Sequence, residues 1–191
     1  MNQAACGCGA NCGHGVDRRR ALSMLGGGLV SSGLWAPQAA AHAKPEAARP
    51  EDERFMRMAI AEAAKADLPF GAVIVRDGRV LAAGRNLGTT TNDPTAHGEM
   101  VAIRRFVAVR PAAELEGVTL YTSGEPCPMC MSAIIWCGIG RVVYAASIDD
   151  LAKRLGQIML SSRTVANAAP FANVAITGGM LSEEALALFS R

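Results

Sequence analysis

The sequence predicts an α/β domain on a mixed, mainly parallel sheet covered by helices on both faces. Three observations carry that expectation. Short apolar runs alternate with helix-forming segments from residue 51 onward, the pattern of strands joined through crossovers. Asp77-Gly78 lies between two apolar runs, a strong signal for an opening antiparallel hairpin. Two further helices begin at residues suited to bind a metal, and ligand sites in such sheets gather where strands run out into helices.

The elements follow in order. Glu51–Ala66 is helical by composition, with Phe55, Met58, Ala59 and Ala63 along one side. Pro69-Phe70-Gly71 ends the turn after it, and Ala72–Arg76 and Val80–Ala83 are the hairpin strands. A helix over about Ala96–Arg110 carries apolar residues at 100, 103, 106 and 107 and is closed by Pro111. Val118–Thr122 is the next strand. A helix opened by Pro126 and Pro128 follows, burying Met131, Ile134 and Ile135. Then come a strand at Arg141–Ala146, a helix at Asp150–Ser161, a short strand at Val174–Thr177 and a closing helix at Ser182–Phe189.

The first 43 residues read differently. Asp17-Arg18-Arg19-Arg20-Ala21-Leu22 precedes a modestly apolar, glycine-rich stretch from Ala21 to Ala36, then Pro37 and the small-x-small run Ala41-His42-Ala43. A basic start, short apolar middle and Ala-x-Ala end is the layout of an export signal. The apolar part is shorter than the roughly 20 residues of a membrane span. It resembles a twin-arginine signal, with Ala21 where that motif often carries Phe, and implies a periplasmic protein; the alternatives are an uncleaved extension and a cytoplasmic protein. Cys6, Cys8, Cys12 and His14 fall inside it, without an assigned role. The expected organisation is therefore a signal over 1–43, a linker over 44–50 and one domain over 51–191.

Residues 44–191 hold sixteen Lys and Arg against sixteen Asp and Glu, a formal charge of zero. A neutral body without a basic run is a poor phosphate binder, which argues against a nucleic-acid partner. With two of its three cysteines suited to a metal, this part offers no disulfide framework.

His97-Gly98-Glu99 and Glu125-Pro126-Cys127-Pro128-Met129-Cys130 carry the chemistry. One imidazole and two thiolates suit a tetrahedral Zn2+ with an open fourth position, the composition of catalytic rather than structural zinc. Cys127 and Cys130, three apart, share one face of a first helical turn, and a helix N-terminus favours the thiolate. A closed structural site would need a fourth ligand. The remaining candidate in the body, Cys137, lies about 10 Å further along the helix at ~1.5 Å per residue and reads as a small buried hydrophobe. Glu99 does not need to bind the ion. A mobile carboxylate beside zinc, which lowers the pKa of bound water to about 7, can shuttle protons in an amine-for-oxygen exchange on a heteroaromatic carbon.

These motifs resemble the cytidine-deaminase-like superfamily, within it the branch of bacterial guanine deaminases and tRNA adenosine deaminases. The likeness runs over roughly Glu51 to Ser161. It is densest in Pro69-Phe70-Gly71-Ala72-Val73-Ile74-Val75, Asn92-Asp93-Pro94-Thr95-Ala96-His97-Gly98-Glu99 and Leu120-Tyr121-Thr122-Ser123-Gly124-Glu125-Pro126-Cys127-Pro128-Met129-Cys130. It implies a three-layer α/β/α sandwich with a five-stranded mixed sheet, usually a homodimer, with one zinc per subunit on His97, Cys127 and Cys130 and Glu99 as proton shuttle. Gly98 departs from the usual Ala, and Gly124 from the frequent Cys or Leu. Thr-Thr-Thr-Asn-Asp-Pro-Thr-Ala-His, Tyr-Thr-Ser and Trp136 are similar to guanine deaminases, which favours hydrolytic deamination of a purine base or nucleoside, guanine first, with release of ammonia. Wobble adenosine in tRNA and cytosine or cytidine are the alternatives. By the same resemblance Asn86 contacts the base, or else caps a turn. Asp150, or its neighbour Asp149, is a second proton handler or an N-cap. Phe70 and Trp136 are pocket walls or core.

Overall fold

The chain folds around a sheet whose two faces are each sealed by helices. A computed structural model describes residues 43–190. The expected export signal, with Cys6, Cys8, Cys12 and His14, lies outside the described residues except for Ala43. The strands are β1 (Lys44–Pro45), β2 (Gly71–Arg76), β3 (Arg79–Arg85), β4 (Thr119–Gly124), β5 (Arg141–Ala146) and β6 (Ala175–Thr177). The helices are α1 (Asp52–Ala63), α2 (Gly98–Val107), α3 (Pro128–Trp136), α4 (Ile148–Ala152), α5 (Ser162–Asn167) and α6 (Ser182–Leu186), with single 3-10 turns at Ala112–Leu115 and Ala187–Ser190. The strand order is β1-β6-β5-β4-β2-β3. β2 is antiparallel to β3 and β4, and the other pairs are parallel.

The hairpin forms for the reason the sequence indicates. Asp77 and Gly78 both take positive φ, 48° and 72°, as a two-residue turn matched to strand twist requires. Alternation then splits the core. Ala72, Ile74, Leu120 and Val142 face one way, with Ile103 and Phe106 of α2, Met131 and Ile134 of α3 and Ala166 of α5. Val73, Val75, Tyr121 and Val143 face the other, with Phe55, Met56 and Ala59 of α1, Leu151 of α4 and Ala185 of α6.

Three expectations need correction. The sheet has six strands rather than five, because Lys44–Pro45, read as linker, pairs in parallel with Ala175 and Ile176 of β6. Two residues are too few for alternation to show in a sequence. The helix expected over Asp150–Ser161 stops at Ala152, and a separate helix starts at Ser162. Gly156 interrupts the helical run, and the Ser161 hydroxyl caps the second start by accepting from Thr164 N–H at 3.1 Å. On α1, Met56 is buried while Met58 is 40% exposed.

One buried ion pair ties the layers together. Arg141 on β5 donates Nη1 to Asp52 Oδ1 at 2.7 Å and Nη2 to Asp52 Oδ2 at 2.8 Å, and neither side chain is more than 4% exposed. Tyr121 Oη (2.8 Å) and the Arg49 amide (2.7 Å) also donate to Asp52. Arg141 reaches Thr177 Oγ1 at 3.0 Å and Glu46 Oε1 at 3.0 Å. The N-terminus of α1 is thereby fastened to β4, β5 and β6.

Burial would raise the Asp52 carboxyl, but hydrogen bonds from Arg141, the Arg49 amide and Tyr121 outweigh it and hold the group below its ordinary value of 3.8. A depressed carboxylate contributes stability above its unfolded pKa and loses it as pH falls through the folded one. Unfolding free energy should therefore drop as pH falls below about 4. Asp52→Ala, which leaves Arg141 buried and unpaired, should cost about 3–5 kcal/mol in urea unfolding at neutral pH and abolish that part of the acid dependence. An unchanged denaturation midpoint in the variant would count against this account.

Candidate metal centre

Two chain turns build the site, each running from extended backbone straight into a helix. His97 is the N-cap of α2 (φ −67°, ψ 158°) and Cys127 the N-cap of α3 (φ −63°, ψ 166°), with Pro128 in the first helical turn. Neither side chain makes a cap hydrogen bond, and the two lie against each other. Cys130, one turn into α3, is fully buried.

The loop before His97 is internally braced. Asp93 Oδ1 accepts from Thr95 N–H (2.8 Å) and Oγ1 (2.6 Å), Asp93 Oδ2 pairs with Arg104 at 3.0 Å, and Asn92 takes a positive φ of 50°. α2 sits directly on the hairpin. A Cβ at Gly84 would collide with Ala102 N and the Gly98 carbonyl, and one at Gly98 would come within 3.1 Å of Gly71 Cα and the Phe70 carbonyl. The Gly98 departure thus fits a close approach of helix to strand. Gly124 likewise lets Phe70 pack tightly, since a Cβ there would meet its ring at 2.9 Å.

His97 Nδ1 lies 3.6 Å from Cys127 Sγ and 3.6 Å from Cys130 Sγ, and the three ligand atoms fall within 4.8 Å of one another. Tetrahedral zinc, with Zn–S near 2.3 Å and Zn–N near 2.0 Å, sets nitrogen and sulfur ligands about 3.6 Å apart. The residues therefore fit the ion. Their proton chemistry fits it too. A hydrogen bond from Cys130, working against burial and aided by His97, holds the Cys127 thiol down to about 4. The same hydrogen bond, with burial, pushes Cys130 up. Two sulfurs sharing one proton behave in this way, and a dication takes the place of that proton.

Glu99 stands in the first turn of α2, 5% exposed. Burial, with the Cys127 sulfur adding, pushes its carboxyl above the ordinary range. His97 is also raised, chiefly by its hydrogen bond with Cys127. Glu99, His97 and Cys127 open onto a cavity of about 200 Å³ whose other walls are Leu68, Phe70, Asn86, Glu125 and 155–158. Asn86 is buried, and its Oδ1 accepts from Gly88 N–H at 3.1 Å. It therefore makes the turn-capping bond, and its NH2 remains available as a donor.

Two expected site residues lie elsewhere. Trp136 ends α3, well along the helix from Cys127. It is 78% exposed, and its ring stacks on Phe171 with centroids 5.1 Å apart. A helix leaving the metal at its N-terminus carries its last residue away from the cavity, which no local pattern reveals. Asp150 does not border the cavity. Its Oδ2 accepts from Ser147 Oγ (2.7 Å), its own amide donates back to that oxygen (3.1 Å), and Lys153 Nζ donates to Oδ1 at 2.8 Å. Ser147 is thus the N-cap of α4, and Asp150 is held against its hydroxyl. Leu68, Leu155, Gly156, Gln157 and Ile158 line the cavity without having been singled out. Gly156, breaking an otherwise helical run, was the available signal.

The model of the cytidine and deoxycytidylate deaminase zinc-binding region matches residues 49–146, the stretch that carries all three candidate ligands and Glu99. Guanine deaminase of Bacillus subtilis (strain 168) is 54% identical over 85 residues, 44% of this chain and 54% of that protein. The chain thus spans about half the length of that relative. A solved tRNA A34 deaminase superposes with a TM-score of 0.58 at 32% identity, covering 71% of this chain and 98% of that one. The solved guanine deaminase of Nitrosomonas europaea superposes with a TM-score of 0.62 at 27% identity, covering 79% and 88%. With the ligand triangle, the buried carboxyl and the sheet order all in place, the chain belongs to the cytidine and deoxycytidylate deaminase zinc-binding family.

Proposed function

We propose that the protein is a zinc-dependent hydrolase that deaminates a free purine base, guanine to xanthine, with release of ammonia. The observation that carries this is the buried Glu99 carboxyl at the head of a small cavity beside the His97–Cys127–Cys130 triangle. When bound there, zinc supplies the Lewis acidity that makes water a nucleophile near neutral pH. Glu99 accepts the proton that water gives up and passes it to the ring nitrogen next to the attacked carbon. As the new carbonyl forms, Glu99 takes the remaining proton from the added hydroxyl and passes it to the departing amine, which leaves as ammonia. Its raised pKa suits a group that must hold and release a proton in one cycle. Phe70 offers an apolar ring to the base, and the Asn86 NH2 a hydrogen bond to an acceptor on its edge.

Size and charge support a free base over tRNA. The cavity, about 200 Å³, lies below the roughly 300–1,000 Å³ of typical small-molecule sites and suits one ring system. The body of the chain carries no net charge to attract a phosphate backbone. The likeness to two guanine deaminases supports the choice among purines. One zinc per subunit, a homodimer and periplasmic action after twin-arginine export complete the reading.

Purified zinc-loaded protein should release ammonia from guanine faster than from guanosine, adenine, adenosine, cytosine or cytidine. Silence on every purine would overturn the proposal. Glu99→Ala should retain zinc by elemental analysis while kcat falls about 10²–10⁴-fold; undiminished turnover would assign the proton transfers to another group. Fractionation of cells making the full chain should place a shortened form in the periplasm. Full-length protein confined to the cytoplasm would refute export.

A further inference from the structure

The segment 153–161 joins α4 to α5, and its residues Leu155, Gly156, Gln157 and Ile158 form part of the cavity wall. Among the described residues, the backbone between Gly156 and Leu160 makes one hydrogen bond of its own, from Leu160 N–H to the Ile158 carbonyl at 2.7 Å. Ile158, Met159 and Leu160 are 61%, 58% and 47% exposed, so burial does not pin the segment either. A stretch with so few bonds takes its position from its two ends.

The helices at both ends lead to one side chain. Ile148 N–H, at the start of α4, donates to Glu125 Oε2 at 3.0 Å. Ser162 N–H and Ser162 Oγ, at the start of α5, each donate to Glu125 Oε1 at 2.8 Å. Glu125 is itself fixed, since its N–H donates to the Ala146 carbonyl at 2.7 Å. It is 8% exposed, borders the cavity and stands two residues before Cys127. Hydrogen bonds to an ionised carboxylate are about twice as strong as neutral ones. With both oxygens engaged by N–H and O–H donors, it is poorly placed to carry protons for a substrate.

We propose that Glu125 is a positioning residue whose carboxylate clamps the starts of α4 and α5, the two helices that flank the 153–161 segment. It thereby holds that wall of the substrate cavity in register with the metal-binding turn at Cys127. The ligand named in the test rests on the deaminase reading above; the clamp itself does not.

Two variants of the full, zinc-loaded chain test it. Glu125→Gln keeps the shape but turns an NH2 toward one of the N–H donors. Ser162→Ala removes only the hydroxyl bond and keeps the question open should the first variant fail to fold. Amide hydrogen exchange at 155–158, measured without substrate, should quicken about tenfold in Glu125→Gln and by less in Ser162→Ala, with zinc content equal to wild type. KM for guanine should rise about tenfold while kcat stays within about threefold. Unchanged exchange in both variants overturns the clamp. So does a collapse of kcat at unchanged KM, which would make Glu125 a proton carrier. If wild-type protein leaves guanine untouched, the deaminase reading fails and the exchange measurement alone decides the clamp.

Discussion

Two helix N-termini aimed at one point are the constraint around which this fold is arranged. α2 and α3 each begin where extended backbone ends, and their first residues bring His97 and Cys127 within 3.6 Å of each other. Each helix start leaves amides unpaired and carries partial positive charge. The usual remedy, a side-chain oxygen at the cap worth about 1 kcal/mol, is given up at both. α4 and α5 show what is forgone, for Ser147 and Ser161 cap them. The two helices beside the cavity wall keep a side-chain cap, while α2 and α3 place a candidate ligand in the cap position. Thiolate charge and a dication then compensate what the missing caps do not.

Holding two such ends together demands rigidity behind them, and the structure obtains it by close approach rather than by bulk. Gly84 admits the backbone of α2 onto β3, and Gly71 admits α1 onto β2, since a Cβ at either would strike the facing helix backbone. On the face covered by α1 the Asp52–Arg141 pair does what apolar packing alone does poorly. Its bidentate geometry fixes the register of α1 against three strands as well as their separation. A buried pair of this kind is a weak source of net stability compared with an apolar substitute, but a strong specifier of one arrangement.

What could be read in the sequence was whatever depended on neighbours along the chain. The hairpin at Asp77-Gly78, the strand Arg141–Ala146 and the Cys-x-x-Cys turn are local facts about φ, alternation and helical spacing, and they are found where expected. Several of the misses involve partners far apart in sequence. Lys44–Pro45 is a strand only because β6, about 130 residues on, offers an edge. Asp52 stands in the first turn of α1, and its role as an ion-pair partner rests on Arg141, 89 positions away. Trp136 belonged to the metal motif by adjacency, but helix geometry carries it to the surface. Glu125 was visible as part of the motif, yet its meaning depends on Ile148 and Ser162, which nothing nearby announces.

The distribution of carboxylates around the cavity also limits the chemistry. Three acidic groups were within consideration. Asp150 is consumed by Ser147 and Lys153, and Glu125 by the starts of two helices. Glu99 alone is buried, raised in pKa and open to the cavity. Under the proposed reaction, both the ring-nitrogen and the amine protonation then fall to one group in sequence, because no second acid stands ready to divide the work. A single shuttle recovers its proton between the two transfers from the hydroxyl added to the ring, so it must reach that oxygen while being shielded enough to keep its pKa high. A narrow cavity, closed on one side by Phe70 and on another by a lightly bonded loop, provides that compromise. The loop's position is thus tied to the acidity of Glu99, since loosening it would admit water and relax the burial that raises the carboxyl.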